Sequence, residues 1–165
     1  MNEFLEDLQI GYILEVDRLS GLASWRLRTS VASRTEVVED TMHVKDICEQ
    51  TLDYLKQAKT HLVNNANDRD LKDAIRDCMS AMEAMLKDLS GKTDIKDATT
   101  ALRVSTSWGP DIIVKDGLSL WDRIHDFYPD IRHGAKKSDM TNEEALYWLE
   151  RLTCFIRYMS RVHNR

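Results

Sequence analysis

The feature that most constrains this chain is an apolar repeat at steps of three and four residues, sustained over most of its length. Between 68 and 89 it runs Leu71, Ile75, Cys78, Met82, Met85, Leu89, a single stripe along an α-helix. Asn67 or Asp68 stands at the N-cap, and Gly91 lies just past the end as a left-handed C′ residue. The spacing recurs over 37–62 (Val38, Met42, Ile47, Cys48, Leu52, Leu55, Leu62) and over 142–162 (Ala145, Leu149, Leu152, Ile156, Met159). A Thr141-x-x-Glu144 capping box opens the last of these. Residues 3–28 are also periodic (Phe4, Leu8, Tyr12, Leu19, Trp25), although Gly11 and Gly21 interrupt them. Two prolines and six glycines in 165 residues are too few turn formers for a β-sandwich or barrel. The expected fold class is all-α: an antiparallel helical bundle of four long helices, near 3–28, 37–62, 68–89 and 142–162. Two short helices between 94 and 127 complete a single domain over 1–165.

The short helices follow from Ile95, Ala98 and Leu102, and from Leu118, Trp121, Ile124 and Phe127, separated by the turn-rich Ser105-Thr-Ser-Trp-Gly-Pro110. A loop from Tyr128 to Asp139 leads into the last helix. Elaborated connections on rigid scaffolds are where function concentrates.

Several classes are excluded by what is missing. No apolar run approaches the roughly 18 residues of a membrane span. The acidic start Met1-Asn-Glu-Phe-Leu-Glu-Asp lacks the basic stretch of a secretory leader, so a cytoplasmic protein without membrane association is expected. Cys48, Cys78 and Cys154 are far apart and sit among apolar neighbours, which reads as three buried thiols rather than a disulfide framework or zinc site. Phosphate loops, dinucleotide fingerprints, nucleophile elbows and H-E-x-x-H are not found. Met79, Met82 and Met85 share a helical face and read as core. His125, Asp126, Asp130 and His133 fall across a loop without diagnostic spacing, so no metal and no cofactor is expected.

The net charge of −5 is unevenly spread. Residues 151–165 carry Arg151, Arg157, Arg161 and Arg165 and no acid, while Arg132, Lys136 and Lys137 form a second basic cluster upstream. Such patches seat phosphates even on an acidic chain. Cations at a helix C-terminus are also favoured simply by its dipole, which accounts for the first cluster without a ligand.

Arg132-His133-Gly134, just before the last helix, combines a permanently charged planar donor with the side chain best able to exchange a proton near neutral pH. Together these groups suit phosphodiester chemistry without a metal. The segment from Asp70 to Gly91, with Glu83 within it, resembles the central helix of prokaryotic HEPN-like domains related to abortive-infection proteins. Trp121-Asp-Arg-Ile-His-Asp-Phe-Tyr-Pro-Asp-Ile-Arg-His-Gly134, followed by Glu144–Met159, is similar to the family in order and spacing. The resemblance covers about residues 65–162.

It implies a helical bundle that forms a homodimer, with the basic loop at the dimer seam. Many such domains are metal-independent endoribonucleases of antiviral defence, abortive-infection or toxin–antitoxin systems; others are inactive scaffolds or RNA-binding modules. Active members carry R-x(4–6)-H, whereas Arg132 and His133 are adjacent here. Arg157 and His163 fit R-x5-H, but six residues of helix turn them roughly 120° apart.

Two readings follow. In the first, His133 acts as general acid or base for attack of a ribose 2′-hydroxyl, and Arg132 stabilises the charge that develops on phosphorus. Glu83 and Asp130 support the pair, and Lys136 and Lys137 bind RNA. In the second, the domain is a non-catalytic dimerisation or regulatory module for a separately encoded partner protein. An Arg132–Glu83 ion pair then pins the loop to the bundle.

Overall fold

The computed structural model describes residues 12–16, 23–27, 31–44, 47–64, 68–133 and 139–163. Within 3–28 the described residues are not helical. β1 (Tyr12–Val16) and β2 (Ala23–Leu27) pair antiparallel, with Tyr12 opposite Leu27, Leu14 opposite Trp25 and Val16 opposite Ala23. The expected first helix is therefore replaced by a hairpin over these residues. Tyr12, Ile13, Leu14 and Val16, interrupted only by Glu15, make a short apolar run with β-branched and aromatic residues that begins directly after Gly11, as strands do.

The rest of the described chain is helical: α1 (Val31–Met42), α2 (Glu49–Asn64), α3 (Asp68–Ser90), α4 (Ile95–Val104), α5 (Asp111–Phe127), the single turn α6 (Asp130–His133) and α7 (Asn142–His163). A 3₁₀ turn, Thr106–Trp108, separates α4 from α5. The expected helix over 37–62 is broken in two. Its apolar face steps by five from Met42 to Ile47, so a continuous helix would turn the charged Lys45-Asp46 toward the core. Thr41 Oγ1 donates to the Val37 carbonyl and Val44 N closes a three-residue turn onto Thr41, ending α1. α5, expected to be short, runs 17 residues.

The caps read at Gly91 and at Thr141–Glu144 form, while Asn67, the other N-cap candidate for α3 beside Asp68, lies outside the described residues. Gly91 has φ +66°, and Lys92 N reaches back to the Lys87 carbonyl, closing α3. Thr141 N donates to Glu144 Oε2 at 2.7 Å while Glu144 N donates to Thr141 Oγ1 at 3.1 Å. The bond from Thr141 N is the main reason the Glu144 carboxyl is held below the usual range.

α1, α2, α3 and α7 pack as a closed ring around the core, α3 being the most enclosed. Cys78, Met79, Met82, Met85 and Leu86 of α3 all face this core, with Leu55 and Leu62 of α2 and Leu149, Leu152 and Ile156 of α7. The ring is not wholly antiparallel. Arg34 meets Asn142 and Asp40 meets Arg157, so α1 and α7 ascend together. α3 and α7 do the same: Lys72 is joined through α6 to the Tyr128–Trp148 contact, and Met85 meets Ser160. α5 runs the other way along α7, with Trp108 at Tyr158, Gly117 at Phe155 and Tyr128 at Trp148. Among the described residues, no helix is long and apolar enough to cross a membrane.

Candidate functional site

Residues 128–133 form the end of the elaborated connection, and their attachment to the bundle is the most distinctive chemistry of the fold. Tyr128 ends α5, its amide bonded to the Ile124 carbonyl, and packs edge-on against Trp148 with ring centroids 6.5 Å apart. Burial, more than any hydrogen bond, pushes the Tyr128 hydroxyl up. Two residues on, α6 begins. Ile131 is 2% exposed and anchors the turn in the core. Beside it Asp130 Oδ2 accepts a hydrogen bond from Lys72 Nζ at 2.7 Å, with the lysine side chain 2% and the aspartate 7% exposed.

A buried ion pair of this kind tethers α6 to α3. An isolated charge at either position would be strongly disfavoured, whereas the pair satisfies both partners in a low-dielectric setting. Lys72 lies in line with Met79 and Leu86 at seven-residue steps, on a stripe otherwise apolar. A lysine on such a stripe is the sequence signal for a buried acidic partner.

Of the residues predicted to form the site, only Glu83 and Asp130 have described side chains, and these two are not brought together. The backbone of Arg132 and His133 completes α6; their side chains, and Lys136 and Lys137, lie outside the described residues. Asp130 is held by Lys72. Glu83 is not brought to α6. It lies eleven residues, about 16 Å, along α3 from Lys72 and pairs with Lys87 at 2.8 Å. There it lines a separate groove of about 570 Å³ with Gln50, Tyr54, Lys92 and Thr93. An ion pair pins the connection to the bundle through Lys72 and Asp130, whereas Glu83, expected to pair with Arg132, meets Lys87.

Of the four residues weighed as metal ligands, His125 packs against Trp121 with ring centroids 5.6 Å apart, and Asp130 faces Lys72. No group of three metal-ligating side chains occurs among the described residues. The three cysteines are free, but only Cys78 is buried; Cys154 is exposed, contrary to the expectation that all three are core, because it falls on the outer face of α7. Burial pushes the Cys78 thiol well up, so it is inert. Arg157 and His163 diverge as expected: Arg157 approaches Asp40 at 3.9 Å, and His163 stacks on Trp108.

A second buried acid went unread in the sequence. Asp77 is 4% exposed, and its Oδ2 has no hydrogen-bond partner; His61 Nε2 is 3.4 Å away, near enough for charge attraction without bond geometry. Burial pushes the Asp77 carboxyl up against the opposing pull of Arg76 and His61. A carboxyl whose folded pKa exceeds its unfolded value favours the fold when protonated and weakens it as pH rises. Asp77→Asn is therefore expected to melt higher relative to wild type at about pH 7 than at about pH 4. Melting curves at both pH values check this, and an advantage that shrinks with rising pH would refute it.

Compared with known proteins, the chain matches no family model, and no curated protein and no solved structure is similar to it.

Proposed function

We propose that the chain is a non-catalytic helical interaction module, HEPN-like in kind, that self-associates as a two-fold dimer and regulates a separately encoded partner. The observation that carries this reading is the buried Lys72–Asp130 pair, which makes α6 a structural anchor. Of the two carboxylates expected to support the nuclease pair, Asp130 meets Lys72, and Glu83 pairs with Lys87 away from α6.

The endoribonuclease reading is the one to test against it. Purified protein is incubated with mixed single-stranded and structured RNA in EDTA. The module reading expects no cleavage above background, and Arg132→Ala and His133→Ala indistinguishable from wild type. Chelator-resistant cleavage that either substitution abolishes would overturn it and establish a metal-independent nuclease acting through the 2′-hydroxyl. Light scattering tests the dimer: a particle of about twice 19.1 kDa is expected at micromolar concentration, and a strict monomer would remove that part of the proposal.

A further inference from the structure

At the opposite end of α7 from α6, an open groove of about 860 Å³ runs between the last turns of α7 and the start of α5. Its size is that of a small-molecule site. Its lining combines apolar Pro110, Ile113 and Val162 with the cations Arg157 and Arg161, and none of its lining residues is acidic.

The groove is built rather than incidental. Tyr158, between the two arginines, donates its hydroxyl to the Trp108 carbonyl at 3.0 Å and so clamps the turn that forms the rim. Gly109 sits at φ +88° where a Cβ would fall 2.1 Å from the Tyr158 hydroxyl, so the close approach depends on glycine.

The arginines stand one helical turn apart on the same face, an arrangement in which like charges repel. Neither makes a close ion pair among the described residues. Arg157 meets Asp40 only at 3.9 Å, and the Asp40 side chain is more than half exposed, a weak surface contact. Arg161 is exposed and pairs with no carboxylate among the described residues. The helix dipole favours cations in this last turn but supplies no reason for a cavity beside them. Two guanidinium groups lining one groove with apolar side chains suit an anion with an apolar body, since guanidinium groups bind phosphate oxygens bidentately.

We propose that this groove binds a small amphiphilic organic phosphate, its phosphate on Arg157 and Arg161 and its apolar portion along Pro110, Ile113 and Val162. The site is independent of α6 and of the module reading: it stands whether or not the protein cleaves RNA.

Cys154 lines the groove and is exposed, so its alkylation rate reports occupancy in the unmodified protein, read peptide by peptide by mass spectrometry. Phenyl phosphate is the probe, with phenol and inorganic phosphate as its two halves. Phenyl phosphate is expected to slow Cys154 alkylation in a saturable way while Cys48 is unaffected; phosphate alone should need about tenfold more, and phenol should not protect. Arg161→Gln, an exposed change that leaves folding intact, should weaken protection by about tenfold; Arg103→Ala, an exposed arginine outside the groove, should leave it unchanged. The proposal is overturned if phenyl phosphate gives no protection, if phenol protects as well, or if Arg161→Gln behaves as wild type.

Discussion

Lys72→Ala is expected to lower stability by about 3–5 kcal/mol, a fall in melting temperature of roughly 10 °C in a domain of this size. The loss comes less from the missing attraction than from Asp130, left charged and buried without its lysine. That diagnosis makes a second expectation. Replacing both partners by apolar residues of similar volume, Lys72→Met with Asp130→Leu, should recover most of the loss, because desolvation of the two charges disappears with their attraction. Thermal melts of the two single variants and the double form a complete cycle. A double variant as unstable as the sum of the singles would show that the pair is not the source of the effect.

The second large effect is expected at Gly117, in the middle of α5. On an exposed helix, glycine to alanine stabilises by about 1 kcal/mol. Here the sign should reverse. A Cβ on Gly117 would lie 2.1 Å from Cδ2 and Cε2 of Phe155, a ring 5% exposed in the packed face of α7. Interiors are dense enough that the ring has nowhere to go without displacing neighbours, so Gly117→Ala should cost about 1–3 kcal/mol through overpacking. In a Phe155→Leu background the obstruction is gone, and the same substitution should become neutral or stabilising. A melting temperature that rises in Gly117→Ala alone would sink the argument.

The helical character of the chain was legible because its strongest signals are local. The Thr141–Glu144 box, the left-handed Gly91 and the Met79–Met85 face each need only a few neighbouring residues to be specified, and each forms. The failures arise where one pattern serves two structures. Tyr12 and Trp25 satisfy a helical stripe drawn through Phe4 and Leu8, yet the intervening Ile13, Leu14 and Val16 satisfy a strand, and pairing with 23–27 decides in favour of the strand. The break between α1 and α2 was written in the five-residue step from Met42 to Ile47, which a count of apolar residues passes over. The candidate site was the least legible part. The adjacency of Arg132 and His133 drew attention to side-chain chemistry, whereas the contact that organises the segment joins residues 58 positions apart. Nothing local in Asp130 announces its partner; only the out-of-place Lys72 on an apolar stripe does.

The shared direction of α3 and α7 also governs how the molecule assembles. α2 and α3 are neighbours in sequence and antiparallel, so their pairing closes a loop of a few residues at little entropic cost. α7 cannot dock by such a turn. It begins at the far end of the bundle from where α3 stops, about 34 Å away along a 23-residue helix, and α5 is the strut that carries the chain back. Closing the ring then joins Arg34 to Asn142, 108 positions apart. Contacts of that separation carry the largest loop-closure cost, so docking of α7 is the step expected to be slow in refolding. A short turn engineered directly from α3 to α7 would force the last helix to point the other way, and the chain that resulted would be a different bundle.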